Sequence, residues 1–110
     1  MQMGLVGLGK MGASMAMKLC RADIHVVGFD ADGKSVDALQ NEPGFDGAYS
    51  LDALLNALST PRILWLMLPA GEVTERVVDE MLFKLTPGDL LVNGANNFYK
   101  KSVEHAARFR

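Results

Sequence analysis

The stretch GLVGLGKMG, Gly4–Gly12, stands almost at the start of the chain and contains the pattern Gly-x-Gly-x-x-Gly at Gly7, Gly9 and Gly12. A short apolar run over residues 3–7 leads into the pattern, and it is typical of a buried strand. Apolar residues then recur at helical spacing, so the glycines lie between a strand and a helix. Gly4 offers a second register, but that register would place the turn inside the strand.

Each glycine of the pattern has a physical role at such a junction. Gly7 allows a tight turn out of the strand, Gly9 lets a pyrophosphate approach the backbone, and Gly12 lets the helix pack close to the strands. Phosphate is favoured there because free amides and the helix dipole meet at the helix start. A plain turn between strand and helix is the alternative interpretation. The amides expected to face the phosphates are those of Leu8, Lys10 and Met11.

An acidic residue follows the second apolar run, as a dinucleotide site requires. The acidic residue is Asp30, which comes directly after the run and 23 residues after Gly7. A carboxylate at this position accepts hydrogen bonds from the adenosine ribose and repels a 2′-phosphate. The next residues are Ala31 and Asp32, with no arginine, and Lys34 is the one nearby cation. The pattern therefore predicts NAD as the cofactor in preference to NADP. The alternative is an ordinary acid at the end of a strand.

Strand-like and helix-like segments alternate along the whole chain, which is typical of βαβ units. The predicted fold is an α/β, Rossmann-type, doubly wound parallel sheet in three layers that stops before the usual last strand. The predicted strands cover residues 3–7, 24–29, 48–49, 62–68 and 90–92. The predicted helices carry Met11, Met15, Ala16, Leu19 and Cys20; Val36 and Leu39; Leu51, Leu54, Leu55 and Leu58; Val73, Val77, Met81, Leu82 and Leu85; and Val103, Ala106 and Ala107. Ser50 is the predicted N-cap of the third helix, and residues 86–89 are a predicted turn.

Composition excludes several other classes of protein. The 110 residues carry a net charge of −2 and are 49% hydrophobic, so neither nucleic acid nor an anionic membrane is an expected partner. The longest apolar run, residues 63–68, is far too short to span a bilayer. Cys20 is the only cysteine, which favours a reducing, cytoplasmic location. His25 and His105 belong to no cluster with metal-ligand spacing, so no metal site is expected.

Two later segments are expected at the same edge of the sheet, because ligands bind beyond the carboxyl ends of parallel strands. Leu68, Pro69 and Ala70 follow the fourth strand, and Asn96 follows the fifth. The amide of Asn96 could serve the nicotinamide or a substrate hydroxyl. Turn formation and helix capping are the alternative explanation of the Asn-rich loop.

The segments MGLVGLGKMGASMAMKL, HVVGFDAD, PRILWLMLPAGEVTE and PGDLLVNGANNFYKKS resemble the cofactor domain of 6-phosphogluconate dehydrogenases, in their shorter, NAD-preferring branch. The resemblance covers essentially the whole chain. It implies that residues 7–12 wrap the pyrophosphate, that residues 30–32 face the adenosine ribose, and that Leu68, Pro69 and Ala70 line the nicotinamide side. It also implies that Asn96 contacts both cofactor and sugar acid. The loop Asn93–Asn97 reads NGANN, where the family typically has Asp-Gly-Gly-Asn-Ser, which puts the substrate in question.

The resemblance further implies a longer parent enzyme that oxidises and decarboxylates 6-phospho-D-gluconate to ribulose 5-phosphate. The catalytic lysine and glutamate of the family lie in a following helical domain, through which the parent oligomerises. Residues 1–110 would then be the NAD(P)-binding domain, with no catalytic residue and no activity alone. The alternatives are a stand-alone or degenerate NAD-binding module, and the cofactor domain of another β-hydroxyacid dehydrogenase such as 3-hydroxyisobutyrate dehydrogenase.

Overall fold

The computed structural model describes residues 2–68 and 72–93, which form a parallel sheet of five strands with helices on both faces. The order of the strands in the sheet is β3-β2-β1-β4-β5. The strands are β1 (Gln2–Val6), β2 (His25–Phe29), β3 (Phe45–Ala48), β4 (Ile63–Leu66) and β5 (Leu90–Asn93). The helices are α1 (Lys10–Arg21), α2 (Gly33–Asp37), α3 (Leu51–Ala57) and α4 (Glu72–Lys84). No helix in this part of the chain is long and apolar enough to cross a membrane.

Alternate residues of the central strand enter two separate cores, which confirms the three-layer α/β prediction. In β1, Leu5 belongs to the cluster that α1 and α2 cover, whereas Val6 belongs to the cluster that α3 and α4 cover. Val26 and Val27 of β2 alternate in the same way. Because side chains along a strand point to opposite faces, a strand that is buried on both sides reads as a continuous apolar run.

Helix α1 packs on the sheet through small residues. Gly12, Ala16 and Cys20, spaced four apart, are its buried positions. The prediction that Met11 belongs to the buried stripe is wrong, since 74% of its surface is exposed. The burial of Cys20 is confirmed. A short side chain brings the helix axis closer to the sheet, and the long methionine side chain is left on the outer face.

The third strand differs most from the sequence prediction. Tyr49 lies outside β3 and is 55% exposed, and the strand instead pairs with β2 from Val26↔Phe45 to Phe29↔Ala48. The residues FDGA have little intrinsic strand preference. Pairing with a neighbouring strand, and burial of Phe45 at 5% exposure, decide its position.

The helices on the other face follow the sequence more closely. The hydroxyl of Ser50 accepts a hydrogen bond from the amide of Ala53 at 3.0 Å, which confirms the predicted N-cap of α3. In α4, Val78 is buried whereas the predicted Val77 is only partly so. The predicted apolar side chains confirmed as buried on this face are Leu51, Leu54, Leu55, Leu58, Met81, Leu82 and Leu85.

A buried ion pair ties β4 to β5 at the amino-terminal edge of the sheet. Asp89, only 4% exposed, accepts hydrogen bonds from the amides of Arg62 (2.6 Å) and Thr86 (2.9 Å) and from the Arg62 guanidinium (3.0 Å). Burial of the carboxyl acts to raise its pKa, but these donors outweigh burial, and the pKa of Asp89 is lowered. The turn over residues 86–89 is confirmed by the hydrogen bond from the Asp89 amide to the Thr86 carbonyl.

Asp89→Asn is expected to lower the free energy of unfolding by about 2–4 kcal/mol near neutral pH, because Arg62 loses its buried partner. A carboxyl whose pKa is lower in the folded state stabilises the fold above its unfolded pKa, at about 4, and loses that contribution as pH falls through the folded value. The difference from the wild type should therefore shrink below about pH 4. Urea unfolding at several pH values measures it. Asp79→Asn, at an exposed position on α4, is the control and should change stability by less than about 0.5 kcal/mol.

Candidate dinucleotide-binding site

The carboxyl end of β1 lies at the centre of the sheet, where the chain order reverses. From β1 the chain proceeds outward to β2 and β3, and it then crosses back to β4 on the other side. In a doubly wound sheet the crevice outside this point is where ligands bind. The glycine pattern leaves β1 at this position, so topology and motif indicate the same place.

Gly7 makes the turn out of β1 in a conformation that favours glycine. Its φ is +102°, and its amide donates to the carbonyl of Phe29 at 2.8 Å. A Cβ at Gly7 would lie 2.6 Å from the carbonyl oxygen of Met67, which follows β4. The turn is therefore confined between the ends of β2 and β4. The sequence did not predict this contact between Gly7 and Met67, because every residue type carries the same backbone carbonyl.

Gly12 allows the first turn of α1 to lie directly against the end of β1. A Cβ at this position would stand 1.9 Å from the carbonyl oxygen of Gly7. The first intrahelical hydrogen bond runs from the amide of Ala13 to the carbonyl of Gly9 at 2.8 Å. Gly4, by contrast, lies inside β1. The register Gly7-x-Gly9-x-x-Gly12 is confirmed.

Gly9 is the one glycine of the pattern that the protein itself does not require. Its φ is −66°, which any residue can adopt, and a Cβ there would meet no atom within 4 Å. As the N-cap of α1 it provides no side-chain hydrogen bond, and the first turn of the helix contains no acidic residue. Helices α2 and α3 are each capped by a side chain, from Asp32 and Ser50. The start of α1 therefore leaves open space and uncapped amides, which suit an anion.

Asp30 lies beside the loop, but its carboxylate is already bonded to the backbone. The amide of Leu8 donates to its Oδ2 at 2.7 Å, and the amide of Asp32 donates to its Oδ1 at 2.8 Å. The prediction that the Leu8 amide faces the phosphates is therefore corrected, since a charge-assisted hydrogen bond holds that amide. Lys10 and Met11 lie at the exposed start of α1. That their amides face the phosphates stays a prediction.

The remaining predicted residues divide into three groups. Leu68 lies next to Gly7, its Cδ2 3.1 Å from where a Cβ of that glycine would be, so the structure brings it to the glycine loop. Ala31 and Asp32 are exposed beyond β2, and the Asp32 carboxylate caps α2 through the amide of Lys34 at 3.0 Å. The predicted site residues that lie outside the described part of the chain are Pro69, Ala70 and Asn96.

Other candidate chemistry is weak among the described residues. Burial, followed by the nearby Glu42 carboxylate, raises the pKa of the Cys20 thiol, which keeps the thiol protonated and unreactive. No group of three His, Cys, Asp or Glu side chains in residues 2–68 and 72–93 could hold a metal ion. A surface groove of about 490 Å³ beside α1 is lined by Lys10, Met11, Ser14, Met15, Lys18 and Met67.

Fold and loop together define a dinucleotide-binding domain of the Rossmann class. A solved structure with the same fold is glycerol-3-phosphate dehydrogenase from Coxiella burnetii, with a TM-score of 0.70 and 16% sequence identity. The match covers 98% of this chain and 37% of that one. At this level of identity the similarity concerns the fold alone.

Sequence comparison identifies the family. The model of the NAD binding domain of 6-phosphogluconate dehydrogenase matches residues 2–110, and the chain belongs to this family. A putative 6-phosphogluconate dehydrogenase, YqeC, of Bacillus subtilis is 35% identical over 94% of the chain and 34% of its own length. The NAD(+)-dependent, decarboxylating 6-phosphogluconate dehydrogenase of Haloferax volcanii is 33% identical over 96% of the chain and 35% of its own length. The chain thus spans about a third of these relatives.

Gly12→Ala is expected to destabilise the fold by more than about 3 kcal/mol, because the methyl group would overlap the Gly7 carbonyl oxygen and either the helix or the strand end must move. Gly33→Ala is the matched control, since its methyl group would meet the Tyr49 ring at an ordinary 3.8 Å. The control should stay within about 1 kcal/mol of the wild type. Urea unfolding followed by circular dichroism measures both, and equal stabilities of the two variants would contradict the packing role of Gly12.

Proposed function

We propose that residues 1–110 form the NAD-binding domain of a 6-phosphogluconate dehydrogenase-like oxidoreductase, and that the catalytic lysine and glutamate come from a separate domain. Membership of the family supports NAD as the cofactor. The reaction of the complete enzyme is inferred from the relatives that carry the same domain. When bound, NAD supplies the acceptor for a hydride from the sugar acid. The chain's own residues bind and orient this acceptor.

The observation that carries the proposal is the open space at Gly9. At Gly7 and Gly12 a Cβ would overlap backbone atoms of the protein. At Gly9, by contrast, a Cβ would meet no atom within 4 Å. A pyrophosphate at this position would approach the backbone directly and meet the uncapped amides at the start of α1. The residues present thus fit the group that the family implies.

NAD is preferred to NADP in this proposal for reasons of charge. A 2′-phosphate on the adenosine ribose would lie beyond the end of β2, where Asp30 and the exposed Asp32 bring two carboxylates. Lys34 is the nearby cation and forms no ion pair among those found in the described residues. Titration of the purified chain with NADH and NADPH, followed by fluorescence, tests the preference. Tighter binding of NADPH would refute it, and binding of neither below millimolar concentration would refute the proposed function.

Gly9→Ala is expected to weaken NADH binding by about tenfold or more, because a methyl group takes the space that the pyrophosphate needs. Its stability should fall by about 1 kcal/mol or less, since the backbone conformation suits alanine and only the helix cap changes. Calorimetric titration and urea unfolding of the same preparation separate the two effects. Asp89→Asn is a control with the opposite expected pattern. Asp89 lies at the distant edge of the sheet, so this variant should lower stability but leave NADH affinity within about twofold. Unchanged NADH affinity in Gly9→Ala would contradict the placement of the pyrophosphate.

A second candidate, a domain of another β-hydroxyacid dehydrogenase, rests on the NGANN loop at Asn93–Asn97. The resemblance to the family implies that Asn96 contacts the substrate, and the sequence differs from the family pattern on both sides of that residue. Oxidation assays with 6-phosphogluconate and with 3-hydroxyisobutyrate, run with the complete protein and NAD, distinguish the two. Turnover of the smaller acid alone would favour this second candidate.

A further inference from the structure

Asp30 connects two backbone segments that come from different parts of the chain. Its Oδ2 accepts from the amide of Leu8, 22 residues earlier, and its Oδ1 accepts from the amide of Asp32. The distances are 2.7 and 2.8 Å, as expected for charge-assisted hydrogen bonds. A carboxylate has about four lone-pair sites, so each oxygen can accept one further hydrogen bond. The side chain thus holds protein structure and still has capacity for ribose hydroxyls.

The bond to Leu8 completes the attachment of the glycine loop. The amide of Gly7 donates to the carbonyl of Phe29, the last residue of β2, and the next amide, that of Leu8, donates to the side chain of Asp30, which follows β2. The Leu8 side chain is 3% exposed in the core beneath α1. After Leu8 the chain is exposed from Gly9 to Met11. Leu8 is therefore the last anchored residue before the predicted phosphate-binding backbone.

We propose that Asp30 is a positioning residue for pyrophosphate, in addition to any contact with the ribose. Its carboxylate fixes the Leu8 amide, and this sets the direction of the following backbone, which continues into the first turn of α1 at Lys10 and Met11, where no side chain caps the helix. The expected consequence is that Asp30 contributes to the binding of a diphosphate ligand that has no ribose hydroxyls. The inference rests on the proposed dinucleotide function of the same loop.

A thermodynamic cycle separates positioning from ribose recognition. Wild type and Asp30→Asn are titrated with ADP and with 2′,3′-dideoxy-ADP by calorimetry. Asparagine keeps one acceptor oxygen but presents an NH₂ group to the other amide, so it cannot hold Leu8 and Asp32 together. Positioning predicts that the substitution weakens binding of the dideoxy ligand by about fivefold or more, and any contact with the ribose adds a further loss for ADP. Loss of the effect with the dideoxy ligand would show ribose recognition only and would overturn the proposal.

Asp23→Asn is the control, because it makes the same change of charge at an exposed residue before the opposite, amino end of β2, where its φ of +65° suits asparagine. It should leave the affinity for dideoxy-ADP within about twofold. An equal loss in Asp23→Asn would indicate a general effect of charge and would overturn the proposal.

Hydrogen exchange of the Leu8 amide provides a test that needs no ligand. In the ligand-free wild type this amide should exchange at least about tenfold more slowly than the exposed amide of Lys10, because Asp30 holds it. Asp30→Asn should remove much of this protection and leave the amide of Leu5, in the centre of β1, protected. A Leu8 amide that exchanges freely in the wild type would overturn the proposal even if the variant fails to fold. Absence of ADP and NADH binding with a protected Leu8 amide would refute the proposed function instead.

Discussion

The close approach between the start of α1 and the end of β1 is the constraint on which the rest of the structure depends. A single carbon at Gly12 would overlap the carbonyl oxygen of Gly7. With no side chain there, the helix can begin directly above the strand and pack on the sheet through Ala16 and Cys20. The same contact places the positive end of the helix over the switch point of the sheet, where doubly wound folds bind their ligands.

The loop that results is rigid on one side and open on the other. Gly7 and Leu8 are bonded to successive residues at the end of β2, and the turn also lies against the backbone at the end of β4. Gly9 then faces open space at the uncapped start of the helix. Such an arrangement suits binding of an anion to backbone amides, since the amides are held before the ligand arrives and little ordering is needed on binding.

Cofactor binding is the role that the family model gives to this domain. The described residues contain no cluster of side chains for metal chemistry, and the thiol of Cys20 is buried in the core. The chain spans about a third of the length of its relatives, which include dehydrogenases that decarboxylate 6-phosphogluconate.

The sequence by itself determined the fold class, the register of the glycines and the position of Asp30, because each depends on local patterns: strand and helix periodicity, and residues that lack or carry a particular side chain. It also predicted the cap at Ser50, which is a local hydrogen bond. Only the tertiary structure decided where β3 lies, since FDGA pairs through its neighbour and not through its own preference for strand. It alone showed that Asp30 holds the amide of Leu8, that Met67 confines Gly7, and that Met11 is exposed. The first two are contacts between segments distant in sequence, and all three depend on how the helices pack against the sheet.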